Sequence, residues 1–308
     1  MNDFMNPIDI LHKTSRALYM KQMRTSLDEN IGEAITYRIL AAQMIVSESK
    51  KIAEATLNGF PPMKETDARG NFTSRGQIDE VSVGINLAKQ GAVLDIQDID
   101  LKSITNVGYF SKIMVGVTAQ AIQGVVRSAS HLMNNLDTGL YRTFNGETPG
   151  MFIRPDSSIY VVNGKNVAKN MGSVEFSREA LLWSLTQIDS QQSRDLTTMT
   201  NRLVGVIVDR RNWRNAMHIV TNERIGTDYD VYKDSYGLPV GLVDFYDQRT
   251  WIVITTGARI GWAVFKGNIF PTIFTTTNPE NENAGIVTKW YHKPFCLLPY
   301  GFFLNKFS

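Results

Sequence analysis

Ile31, Ile35, Ile39, Ala42 and Ile45 recur at three- and four-residue steps, the spacing that lines one face of a helix. Ser26 and Glu29 precede the run as in a capping box, where hydroxyl and carboxylate each bond an orphan N–H. The pattern predicts a helix from Ser26 to Leu57, stopped by Gly59 and Pro61-Pro62. At ~1.5 Å per residue it would be about 45–50 Å long. A second stripe, from Ile104 and Val107 through Met114, Val117, Ala121 and Val125 to Leu132 and Leu136, predicts a long helix from Ser103 to Leu136. Gly108, Gly116 and Gly124 interrupt it, each costing up to ~1 kcal/mol against Ala, so packing must hold this helix together. The same glycines would let another backbone approach closely.

Elsewhere the period drops to two. Val81, Val83, Ile85 and Leu87 alternate with Ser82, Gly84 and Asn86, the signature of a strand with one wet face. With the polar, turn-rich stretch before it, this predicts a long hairpin with a charged tip. Residues 1–24, broken by Pro7, predict a short or irregular arm that lies along something else. Short strands begin near Ile159. A third helix follows, with Ser177 as its N-cap. A buried strand Val204–Val208 then runs into a helix Trp213–Val220, and after Gly226 the pattern is almost wholly β.

The 308 residues are enough for one large domain or two modest ones, and 43% hydrophobic with 20% charged residues describes an ordered globular chain. A formal net charge of +2 gives no support to a dedicated nucleic-acid binder. The single cysteine, Cys296, permits no intrachain disulfide and reads as a small hydrophobe. His12, His131, His218 and His292 have no ligand-spaced partners, which argues against zinc. No secretory signal and no ~20-residue apolar span is present, so a reducing cytoplasm is expected.

Candidate chemistry is sparse. Asp209, Arg210 and Arg211 end a strand, where ligands of open α/β sheets bind, but no glycine-rich loop follows. The expectation is that Asp209 caps the next helix and the arginines pair with neighbouring carboxylates. Asp228 and Asp230 lack the ligand rhythm of a metal loop, and Asp95, Asp98 and Asp100 mark a polar approach to the long helix. No G-x-S-x-G, Walker loop or H-E-x-x-H occurs, so neither an enzyme nor a cofactor site is expected. Several segments are too extended to bury within one subunit, which points to self-assembly.

The order of an N-terminal arm, the hairpin stretch "ETDARGNFTSRGQIDEVSVGINLAKQGAVLDI", a long helix and an α/β region resembles the major capsid proteins of tailed bacteriophages. The loop "LYRTFNGETPG", the segment "VDRRNWRNAMHIV" and the turn at Gly237-Leu238-Pro239-Val240 resemble family features at those places. The resemblance implies an α+β Hong Kong phage-type capsid fold, shared with encapsulins. It implies an arm and helix over residues 1–60, an extended hairpin loop over 61–95, and a peripheral domain with the spine helix over 96–158. An axial domain over 159–285 and C-terminal strands over 286–308 would complete it. The implied function is a subunit assembling through pentamers and hexamers into a virion shell around double-stranded DNA, made in the host cytoplasm. Scaffolding, portal and decoration proteins are the implied partners, with no membrane. The hairpin would lie over one neighbour, with Lys64, Glu65, Asp67, Arg69 and Arg75 in inter-subunit ion pairs, and the arm would reach along another. Some relatives crosslink a hairpin lysine to a neighbour. Lys64 and Lys89 hold that position here, and no crosslink is expected. A collar or tail part, an encapsulin-like compartment and a cytoplasmic α/β enzyme are the alternatives.

Overall fold

The computed structural model describes residues 7–28, 32–42, 44–49, 51–58, 79–96, 107–136, 160–162, 165–167, 170–191, 202–222, 238–277, 284–296 and 301–306. Two five-stranded sheets share one core, and helices pack on them unequally.

The N-terminal expectations need correction. Helix α1 spans Pro7–Asp28, so the first residues described are helical and Ser26 lies inside a helix rather than capping one. Proline is well placed at a first helical position, where its missing N–H has no intrahelical partner to lose. Tyr19 and Met23, one turn apart, are fully buried against the long helix and the sheet beside it. The Tyr19 hydroxyl donates to the Pro271 carbonyl at 2.6 Å. Helix α1 therefore packs on its own chain. Nor does a helix run to Leu57. Helix α2 covers only Gly32–Ala41, and strands β1 (Ile45–Ser47) and β2 (Lys51–Asn58) follow. Antiparallel pairing of β2 with β3 (Asp79–Asn86), Lys51 opposite Asn86 and Asn58 opposite Asp79, makes a ladder that joins neither large sheet.

Strand β3 runs on into β4 (Ala88–Ile96), and the long helix α3 occupies Val107–Asn134, as the apolar stripe predicts. Two of its glycines do not serve close packing within the chain: a Cβ at Gly116 or Gly124 would meet nothing within 4 Å. Short strands β5 (Tyr160–Val162) and β6 (Lys165–Val167) pair with each other, and β7 (Met171–Gly172) follows. Helix α4 (Arg178–Asp189) starts where expected, with Ser177 Oγ accepting from Ala180 N at 3.1 Å. Then come β8 (Leu203–Asp209), α5 (Trp213–Asn222), β9 (Val240–Val243), β10 (Trp251–Thr255), β11 (Ile260–Phe265), β12 (Thr272–Thr277), β13 (Ala284–Cys296) and β14 (Phe302–Asn305).

The first sheet is ordered β7-β14-β10-β8-β9 and is apolar on both faces. Val206, Val208, Trp251, Val253 and Phe303 face α4 and α5, while Ile207, Ile252, Ile254, Phe302 and Leu304 face the shared core. That is the period of two with neither side wet. Helix α2 lies tightly on β9. Thr36 Oγ1 donates to Leu242 O at 2.7 Å, and a Cβ at Gly241 would sit 2.5 Å from that hydroxyl. In the second sheet β13 carries β4 on one edge and β11 with β12 on the other, and β1 runs parallel to β11. This divides the chain differently from the expected 159–285 domain. Residues 260–277 join the sheet of the long helix, and of the C-terminal strands β13 stays there while β14 crosses to the first sheet. Gly301 makes that crossing possible: its φ is +79°, and a Cβ would lie 2.2 Å from Gly257 and Ala258 backbone atoms.

Candidate functional site

The strand-to-helix junction after β8 holds the candidate residues Asp209, Arg210 and Arg211. Asp209 is 1% exposed and both its oxygens are engaged. Oδ1 accepts from Arg211 N at 2.9 Å and Arg211 Nε at 2.7 Å, and Oδ2 from an Arg211 terminal nitrogen at 3.1 Å and Phe245 N at 3.0 Å. The carboxylate thus ties its own turn to the 244–246 turn and does not cap α5, which begins only at Trp213. That corrects the capping expectation. Asp209's hydrogen bonds hold the Arg211 guanidinium above its ordinary pKa. Arg210 pairs as expected, with Asp244 through Nε and Glu33 through Nη1, both at 2.7 Å. Although its partial burial lowers the pKa, those hydrogen bonds raise it above its ordinary value. The C-terminal turns of α3 grip the same loop, with Asn134 donating to Asp244 O at 2.8 Å and accepting from Tyr246 N at 2.9 Å. The cavity at Asp209 is only about 60 Å³. A saturated carboxylate beside so small a space has no lone pair to lend a substrate. The junction is a clasp.

The larger feature is a sheet face. Residues paired across a ladder point to the same side, and neighbours along a strand to opposite sides. In β13, Ile286, Thr288, Trp290 and His292 are buried beneath α3, so Val287, Lys289, Tyr291 and Lys293 point away from it. Val93 of β4 pairs with Val287 and is 59% exposed. Phe274 of β12 pairs with Val287 from the other edge, with the Lys289 ammonium 4.6 Å from its ring centre. The Tyr291 ring lies 6.1 Å from that of Phe265. The result is a surface of half-buried aromatic and branched residues rimmed by Lys89, Lys289 and Lys293. Sequence reasoning missed it, although "IVTKWYHK" alternates for all to see. Two aromatic residues side by side, Trp290 and Tyr291, hid which of them faced inward.

The chain is similar to the subunit in the crystal structure of a virus-like particle from Pyrococcus furiosus, at 10% identity and a TM-score of 0.51. The match covers 96% of this chain and 99% of that one. It is also similar to a chain of the cyanophage A-1(L) capsid, at 9% identity and a TM-score of 0.50, covering 88% and 92%. The chain has the Hong Kong phage capsid fold. No family model and no curated protein matches the sequence. Helix α3 packs on β13, α4 and α5 pack on the outer face of the first sheet, and Asn134 of α3 ties the Asp209 clasp to the long helix.

The remaining sequence candidates fall into two groups. Lys64, Glu65, Asp67, Arg69 and Arg75, with Asp98, Asp100, Asp228, Asp230 and the loop at 140–150, lie outside the described residues. Lys89 stands exposed on β4 and Cys296 is buried in the core. Among the described residues no group of His, Cys, Asp or Glu could hold a metal ion, and no helix is long and apolar enough to cross a membrane.

Proposed function

We propose that the chain is the structural subunit of a closed protein shell, a phage capsid built from pentamers and hexamers of this chain around double-stranded DNA. The observation that carries this reading is the Hong Kong phage capsid fold over nearly the whole chain. Two features of the subunit support it. The β2–β3 ladder belongs to neither sheet, and a two-stranded ribbon alone is marginal in water. The sheet face around Val93, Val287 and Phe274 offers an apolar surface where a neighbour's ribbon would find burial. The hairpin tip would then place Lys64, Glu65, Asp67, Arg69 and Arg75 in ion pairs with the neighbouring subunit. Near-neutral charge suits a container that holds DNA without gripping it. Scaffolding, portal and decoration proteins would bind such a shell during assembly in the host cytoplasm. The test is electron microscopy of the purified chain with nuclease digestion of its contents. Closed shells protecting DNA are expected. Rings or tubes would mean a collar or tail part, shells filled with protein an encapsulin-like compartment, and a stable monomer would remove the reading.

A further inference from the structure

The chain's charge sums to only +2, but it is unevenly placed. Helices α1 and α3 lie side by side on the second sheet. Thr118 Oγ1 donates to Gln22 Oε1 at 3.0 Å, and one turn further along both helices Ser26 and Ile122 line one cleft, so the two run in the same direction. Tyr19 and Met23 of α1 and Met114, Val117 and Ala121 of α3 are buried with Ile273 and Ile286 of the sheet. Helical spacing puts Lys21, Arg24, Lys112 and Arg127 on the side away from it, all four exposed, with Arg16 exposed at their flank.

Neither residues 16–26 nor the whole of α3 contains an aspartate or glutamate, although 30 of the 308 residues are acidic. None of the five cations makes a salt bridge among the described residues. The carboxylates that border Arg127, Glu33 and Asp244, are already held by Arg210. Like charges gathered without counter-charges repel one another, and a polyanion laid over them relieves the repulsion. The crest of α3 between Lys112 and Arg127 suits close approach. Gly116 and Gly124 cost the helix stability and touch nothing within the chain, while Gln120 and Gln123 carry amides of the kind that donate to phosphate oxygens. The rise from Lys112 to Arg127 is about 22 Å, the length of six or seven base pairs at ~3.4 Å each. A protein partner would need apolar anchors, and Val115 is the only large hydrophobic exposed on either helix among the described residues.

We propose that double-stranded DNA lies against the α1–α3 face, held through its phosphates without regard to sequence, which makes this face the lumen side of the subunit. The choice of DNA as the polyanion rests on the shell reading; the charge pattern is a property of one chain. The test is fluorescence anisotropy of a labelled random-sequence duplex of about 30 base pairs, titrated with the full chain before any assembly between about 50 and 200 mM salt. Affinity falls with salt by about 0.9 logarithmic units per phosphate contact, so K21Q/R24Q/K112Q should flatten the wild-type slope by up to about 2.7. The substitutions lie at exposed positions, and an unchanged circular dichroism spectrum checks that the variant folds. K89Q/K289Q/K293Q, which neutralises the opposite face of the sheet, should keep the wild-type slope. No binding at the lowest salt, an equal loss in both variants, or a loss in the sheet-face variant alone overturns the proposal. So does binding of polyglutamate in place of DNA with the same variant dependence, which would give the face to an acidic protein. Particle microscopy judges the shell separately: closed shells from a chain whose DNA binding ignores K21Q/R24Q/K112Q would remove this proposal and leave the shell standing.

Discussion

Asp209 and His292 are both buried, polar and conspicuous in sequence, and the structure gives them opposite characters. Asp209 has four donors on two oxygens. Replacing it by alanine leaves the Phe245 N–H without an acceptor inside the protein, which costs about 1–3 kcal/mol. Urea unfolding of D209A should show that loss, while a catalytic role would show instead as lost activity at unchanged stability. His292 is instead sealed in, stacked on Trp290 with its Nε2 2.8 Å from Ser128 Oγ. Burial pushes its pKa from the ordinary 6.5 down to about 4, with Lys293 acting in the same direction. The sign follows from the proton count. Below pH 6.5 the unfolded chain takes up a proton that the folded chain refuses, so this histidine's contribution to stability falls as pH drops and levels off below about 4. The full loss is about 3 kcal/mol. Comparing wild type with H292F at pH 7 and pH 4.5 should show a shallower decline in the variant. Parallel curves would mean that His292 titrates normally.

At the scale of elements, legibility followed how far a segment's fate is settled by its neighbours in sequence. Ser177 capped α4 and the apolar stripe of α3 held because cap and stripe are local signals. The stretch "KIAEATLN" carries Ala, Glu, Leu and Lys at helix-forming density, yet it is β2, paired residue for residue with a strand some twenty residues on that carries the branched Val81, Val83 and Ile85. Helix propensity is a weak prior, and a partner strand that cannot be seen locally overrides it. The N-terminal helix was missed for the converse reason: Pro7 reads as a breaker unless it is the first helical residue, and the buried pair Tyr19 and Met23 makes sense only once α3 lies beneath it. Of the candidate site, the pairing of Arg210 was readable and the sheet face around Val93 and Val287 was not, since facing is set by a register that no single strand contains. The contact of α2 with β9 gives a test at this scale. In G241A the added methyl would meet Thr36 Oγ1 at 2.5 Å and Thr36 backbone atoms at 2.9 Å. Overpacking of this kind costs about 1–3 kcal/mol, so Tm should fall, and T36S/G241A should recover none of it because the backbone contact persists.

For the whole molecule the question is which parts the subunit keeps for itself. Helix α1 belongs to the chain's own core through Tyr19 and Met23, so in the proposed shell that face is not free to reach a neighbour. The ribbon and the sheet face around Val93 remain. Removing Asp67 to Gln77 spares every residue of the β2–β3 register and leaves both sheets intact, so the variant should fold with circular dichroism and Tm close to wild type. The same holds for V93D, a substitution at an exposed position, where changes usually stay within about 0.5 kcal/mol. In a shell, however, each defect recurs at every equivalent contact, and a charge buried without a partner in that interface opposes its closure. Both variants should therefore sediment as free subunits or capsomers and show no closed particles by negative stain. Normal particles from the deletion would mean that the hairpin tip makes no necessary contact. Normal particles from V93D would free the sheet face of its role and move the interface elsewhere on the subunit.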